Sequence, residues 1–223
     1  MKAVMAISGM MLALVASAAF ARGWDSDFTA REPSVKQSGH YEWSWDGKDS
    51  LSLEAPVSLH YTPGGAPRIV ATGPEELLAH LRVGQGRIRV DDNWHYSGPG
   101  RVEVTVTGVT VNSISLSGSG RATLEKLDLD RLNLSISGSG SVKGDGRSDQ
   151  VSLSISGSGN ADLAALTAHT ASVHISGSGK VDLTPRESAS VSVSGSGIMR
   201  MTAKPAHYTQ SVSGSGGIRI NGN

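Results

Sequence analysis

Ser-Gly-Ser-Gly stands at Ser117–Gly120, Ser137–Gly140, Ser156–Gly159, Ser176–Gly179, Ser194–Gly197 and Ser213–Gly216. Successive copies lie 20, 19, 20, 18 and 19 residues apart, which marks a structural repeat and not a flexible Gly/Ser linker. The flanks are patterned in the same register. One residue before each phrase stand Leu116, Ile136, Ile155, Ile175, Val193 and Val212; seven after its first Ser stand Leu124, Gly144, Leu163, Leu183, Met201 and Ile220. Between the apolar positions run polar ones. Two before are Ser115, Ser135, Ser154, His174, Ser192 and Ser211, and six after are Thr123, Lys143, Asp162, Asp182, Arg200 and Arg219.

Period-two alternation on both sides of the glycines predicts extended segments with one dry and one wet face. Carried through the phrase, it places Gly118, Gly120, Gly138, Gly140, Gly157, Gly159, Gly177, Gly179, Gly195, Gly197, Gly214 and Gly216 at inward positions of structural turns. These would be corners too narrow inside for any side chain. A unit of this length cannot bury its apolar face alone, so successive units must stack. The fold class expected is all-β: a parallel β-helix of 19-residue coils, right-handed by the crossover rule, with a less regular N-terminal β region. Equivalent residues would sit about 4.8 Å apart along the column. Outward Ser hydroxyls are expected to bond to one another along it.

Working outward, residues 1–21 read as a secretory signal peptide: Lys2, an apolar run from Met10 to Phe20, and Ala19-Phe20-Ala21 before a cleavage at Arg22. Ser8, Gly9 and Ser17 interrupt the run, which argues against a membrane anchor, and no later stretch is apolar enough to span a bilayer as a helix. Export to the periplasm or bacterial cell surface follows. The chain has no Cys, so stacking alone must hold an exported fold together. Cleavage leaves 19 basic against 20 acidic residues, a balance that argues against nucleic acid or an anionic membrane as partner.

The reading divides the chain into the signal, an exposed N-terminal segment over 22–46 leading into a first strand, and one β-helical domain over 47–223. Within that domain, 47–111 would form irregular first coils and their cap, and 112–223 the regular coils. Because few residues follow the last phrase, the C-terminal end would be poorly covered, which makes a homo-oligomer through that end a candidate.

The strand-rich lead, the stretch Leu81-Arg82-Val83-Gly84-Gln85-Gly86-Arg87-Ile88-Arg89-Val90, the run Val102-Glu103-Val104-Thr105-Val106 and the repeated Ser-Gly-Ser-Gly units resemble the putative autotransporter adhesin, head GIN domain family. The resemblance covers Leu51 to Ile220. It implies a β-helical, exported bacterial envelope protein with an adhesin-like role, and brings no catalytic residue to carry over.

Chemistry must therefore come from the residues. In the outward column, Asp162 and Asp182 would lie one coil, roughly 5 Å, apart, the carboxylate separation of a retaining glycosidase. The plainer reading is a charge ladder in which Lys143 offsets Asp162 and Arg200 offsets Asp182. The ladder is preferred, since a catalytic groove needs long projecting loops and the inter-coil segments are short. Neither a metal site nor a cofactor is expected: the seven His are scattered, and the glycine phrases precede no helix that could cradle a phosphate. Six copies of the same Ser speak for architecture, not for a nucleophile.

For binding, Trp43, Trp45, Trp94 and Tyr96 are candidates as flat contacts for a sugar or a protein. Their other reading is a plug for the N-terminal end of the coil. Taken together, the sequence predicts a non-enzymatic envelope or surface protein that binds glycan or protein through its Ser-rich faces or aromatic end. The alternatives are a polysaccharide lyase or hydrolase using Asp162 and Asp182, and a structural module that assembles end to end.

Overall fold

The computed structural model of the protein describes residues 28–45, 49–91 and 100–220. The signal-type segment, Trp94 and Tyr96 lie outside the described residues. The N-terminal part contains β1 (Val35–Gln37), β2 (His40–Ser44), β3 (Ser50–Glu54), β4 (Ser58–Thr62), β5 (Arg68–Thr72), α1 (Glu75–Ala79), β6 (Leu81–Gly84), β7 (Arg87–Val90) and β8 (Glu103–Thr107). The repeats then give β9 (Ser113–Gly118), β10 (Arg121–Gly138), β11 (Ser141–Gly157), β12 (Asn160–Gly177), β13 (Lys180–Gly195), β14 (Ile198–Met201), β15 (His207–Ser213) and β16 (Gly217–Ile220). The whole is a β-solenoid of about 5 turns.

Each of β10 to β13 is one circuit of the coil, bent where two or more consecutive residues turn outward. In β10 the burial alternates over 121–124, breaks at Glu125 and Lys126, resumes over 127–129, breaks at Asp130 and Arg131, and resumes to Ile136. Three short ladders result, and the coil has three faces. On one face 121–124 pairs in parallel with 141–144; on the next, 127–129 pairs with 146–148; on the third, 131–138 pairs with 150–157. Inward positions stack like on like, as in Ile136↔Ile155, Ile155↔Ile175 and Ile175↔Val193, all 1% exposed or less. The stacking expected from the alternation is present through the repeat.

The glycine corner differs from expectation in one respect. The second glycine of each phrase faces inward, but the first faces outward. At Gly140 a Cβ would stand 2.6 Å from the Leu116 side chain of the preceding coil, so the inward position is closed to any side chain. Gly138 instead has φ +109°, and its Cβ would lie 2.8 Å from the Gly118 carbonyl oxygen. The left-handed turn at the first glycine rotates the chain by one position, so simple alternation does not run through the phrase. The amide of Ser139 then donates to Gly118 O at 2.9 Å, and that of Ser141 to Gly120 O at 3.0 Å, so the ladder is unbroken around the corner.

Coil length varies at the other two corners. Between β10 and β11 the register slips between Leu124 and Leu127; between β12 and β13, Leu163 pairs with Leu183 but Thr167 pairs with Thr184, leaving 164–166 without a counterpart, with a further shift between Ala168 and Thr170. The Ser-Gly-Ser-Gly corner absorbs none of this variation.

The N-terminal region contributes a first coil without the phrase. β3 pairs in parallel with β9 and β4 with β10, and the bend Glu54-Ala55-Pro56-Val57 occupies the place of a glycine corner. β8 and β7 continue the parallel stacking beneath β4 and β3, and antiparallel pairs then close this end: β8 with β5, β5 with β2 and β2 with β1, and β7 with β6. Tyr61, fully buried, ties the cap to the coil: its hydroxyl donates to Val109 O at 2.8 Å and accepts from Val111 N at 2.9 Å. Residues 22–46 are thus more than an exposed lead, since 35–44 supply two strands and Tyr41, Trp43 and Trp45 are buried.

Candidate functional site

Two faces of the solenoid carry extended outward columns. The face built on 121–124 bears the predicted column Thr123, Lys143, Asp162, Asp182, Arg200 and Arg219, in consecutive register. Asp162 and Asp182 are indeed stacked partners one coil apart. Lys180 Nζ pairs with Asp182 Oδ2 at 2.9 Å, and Asp162 Oδ1 accepts from Ala164 N at 3.4 Å. The two carboxylates sit next to each other on a regular strand face, with Lys143 one coil before them and Arg200 one coil after.

The face built on 131–138 is different. Its outward columns are Ser113, Asn133, Ser152, Ser172, Ser190 and Thr209; Ser115, Ser135, Ser154, His174, Ser192 and Ser211; and the two serines of every phrase. Across 24 neighbouring positions there is no Lys, Arg, Asp or Glu. The expected chain of bonds between stacked hydroxyls is not formed: among the described residues, none of these serine hydroxyls hydrogen bonds another protein group. Distance explains it. Equivalent oxygens about 4.8 Å apart, one per coil, exceed the roughly 2.8 Å of a hydroxyl–hydroxyl bond.

Along one margin of this serine face runs an open trough of about 550 Å³. It crosses five coils, from Arg131 and Asn133 through Ser152 and Ser172 to Tyr208 and Thr209. On its central coils the inward residues are only Ala171 and Ala189, where earlier coils have Leu132 and Val151. Burial pushes the Tyr208 phenol above its ordinary pKa. At the other end Arg131 Nε donates to Gln150 Oε1 at 3.3 Å. A second hollow of about 500 Å³ adjoins that end, with Asp128, Asp130 and Asp149 on its walls. Asp128 is held by Arg147 at 2.6 Å, and the pairing pushes the Arg147 guanidinium above its usual pKa. No group of three or more His, Asp or Glu is placed to hold a metal among the described residues.

The aromatic candidates separate. Trp43 and Trp45 are 3% and 7% exposed, and the Trp43 indole donates to Arg31 O at 3.0 Å. Tyr41 packs at 6.0 Å from the Trp43 ring. These rings fill the N-terminal cap and present no flat face to a ligand. The trough was not singled out in the sequence. Its signal is the drop from Leu132 and Val151 to Ala171 and Ala189 at one inward position, flanked by Thr170 and Ser172 in one coil and by Ser188 and Ser190 in the next.

The profile of the family described as putative auto-transporter adhesin, head GIN domain matches residues 49–205. The chain belongs to that family. Among solved structures, a putative adhesin from Bacteroides fragilis is similar, with 21% identity over 85% of this chain and 99% of the other, and a TM-score of 0.67. A putative lipid binding protein from Parabacteroides distasonis is similar at 20% identity over 81% and 95% of the two chains, with a TM-score of 0.55. At such identities the likeness shows the shared fold. No match was found among curated proteins.

Proposed function

We propose that the protein is an exported, non-enzymatic envelope or surface protein of adhesin-like role, binding its target through the serine face. The observation that carries this reading is the contrast in outward chemistry. A strand needs its inward residues to be apolar, but it does not need Ser outside, and Ser is not among the residues that favour strands. The charged face accepts Lys, Asp, Arg and Thr on the same ladder, so twenty-four uncharged positions on the serine face call for another reason. Unspent hydroxyls on a rigid sheet are that reason. Family membership supports the adhesin-like role, and the signal-type segment at 1–21 supports export.

Purified protein retained on a panel of immobilised polysaccharides and surface proteins tests the reading. The combined variant Ser135→Lys, Ser154→Lys and Ser192→Lys is expected to lose retention about tenfold or more, equivalent to about 1.4 kcal/mol. Thr123→Lys on the charged face should retain the parent's binding. Equal retention by both would reject the serine face. Turnover of a polysaccharide that disappears in Asp162→Asn would instead favour the hydrolase or lyase.

A second reading concerns assembly. Among the described residues β15 and β16 have no outer strand partner, and β15 contains none of the Lys, Pro or acidic residues that blunt exposed edges. With Val212 43% exposed on that edge, pairing between two copies is the expected use. Light scattering whose mass does not rise with concentration would remove it.

A further inference from the structure

The geometry points to a linear, uncharged polysaccharide lying in the trough along the solenoid axis, with one sugar unit to each coil. This inference rests on the serine face being the binding face, and it names the ligand class and its direction.

The first argument is spacing. Equivalent hydroxyls on neighbouring coils, such as those of Ser152, Ser172 and Ser190, are about 4.8 Å apart and unbonded to each other. A ligand hydroxyl seated between two of them can lie about 2.8 Å from both, donating to one and accepting from the other. The trough therefore offers a bridging position at each coil interval. A chain whose units advance by about one coil rise, about 4.8 Å, can fill these positions in succession. An extended β-linked pyranose chain advances by close to that length per unit.

The other polymer classes fit less well. An extended peptide advances about 3.3 Å per residue and falls out of step with the coils. It also binds sheets through an open edge, whereas the coils beneath the middle of the trough already pair on both sides. A polyanion needs a row of cations, and Arg131 is the one Lys or Arg on the trough. An acyl chain would use the apolar part of the lining at Val151, Ala171 and Ala189 but leave the hydroxyls of Ser152, Ser172 and Ser190 without partners. At the far end Tyr208 follows Ala189 in the inward column and packs against the core, and the part of its ring left uncovered lines the trough beside Ser190 and Thr209.

Calorimetric titration of the full chain with β-1,4-linked glucose and N-acetylglucosamine oligomers, from dimer to octamer, tests the proposal. Affinity for at least one series should rise with each unit up to about the pentamer and then level off, because five coils line the trough. Ser172→Trp and, separately, Ser190→Trp should each weaken the pentamer about tenfold while the melting temperature stays at the parent's value. Oligomer binding that ignores length, or survives both variants, overturns the trough assignment. If those oligomers fail while the Ser135, Ser154 and Ser192 lysine variant still abolishes retention on an immobilised protein, the polysaccharide assignment falls and the serine face stands. Unchanged retention in that lysine variant, together with unchanged oligomer binding in Ser172→Trp and Ser190→Trp, would reject both.

Discussion

The charged face and the serine face are made by the same circuits of chain, in the same register, over the same aliphatic interior. On the charged face Lys143, Asp162, Asp182 and Arg200 follow one another in one column; on the serine face Ser135, Ser154, His174 and Ser192 do so. Since both are equally good β-ladders, folding cannot be what separates them. The difference teaches that inward residues answer to the fold and outward residues to something else. On one face the outward residues carry charges of both signs, and on the other they form an uncharged row made mostly of hydroxyls.

The comparison is broken most severely at the corner both faces depend on. Gly138→Val would place a side chain against Gly118 O on a backbone with φ +109°, and should destabilise the fold by roughly 3 kcal/mol or more, read from the denaturant midpoint. Next comes the cap. Tyr61→Phe leaves Val109 O and Val111 N without their shared partner and should cost about 1–3 kcal/mol.

Tyr61 also carries a pH signature. Burial raises its phenol above the ordinary value of 10.0. The unfolded chain thus ionises first, so this contribution is whole below about pH 10 and declines as pH climbs through the folded value. Thermal melts across alkaline pH should show a shallower loss in Tyr61→Phe than in the parent.

A smaller effect sharpens the contrast itself. Stacking like charges on the serine face through Ser135→Lys, Ser154→Lys and Ser192→Lys should cost no more than about 1 kcal/mol per neighbouring pair, so binding should fall while the fold persists. Smallest of all, Lys180→Met removes a partly exposed pair with Asp182 and should change stability by under about 1 kcal/mol.

Much of this architecture was legible because a two-residue period and a twenty-residue period coexist in one stretch. Ile136, Ile155 and Ile175 could be placed inside, and Asp162 and Asp182 one above the other, from spacing alone. The turn at Gly138 was misjudged because alternation assumes continuously extended chain, and one residue at positive φ suspends it. The first coil was hidden for another reason: Ala55-Pro56-Val57 turns the corner with different residues, so no phrase marks it. Trp43 and Trp45 show the limit for isolated aromatics. Whether an indole meets solvent or the cap is fixed by strands that return from Arg68–Thr72, far along the chain. The trough was illegible in a similar way, since concavity depends on where the coil bends and on side-chain volumes summed over five circuits.

The register slip beside Leu163 has a practical corollary. β13 passes this bend with three residues fewer than β12 while the strands on either side stay paired, so the exposed bend at Ala164 and Ala165 is a natural port for foreign sequence. An epitope or reporter peptide spliced there would ride on the outside of the column, around the bend from the serine face and leaving its hydroxyl lattice undisturbed.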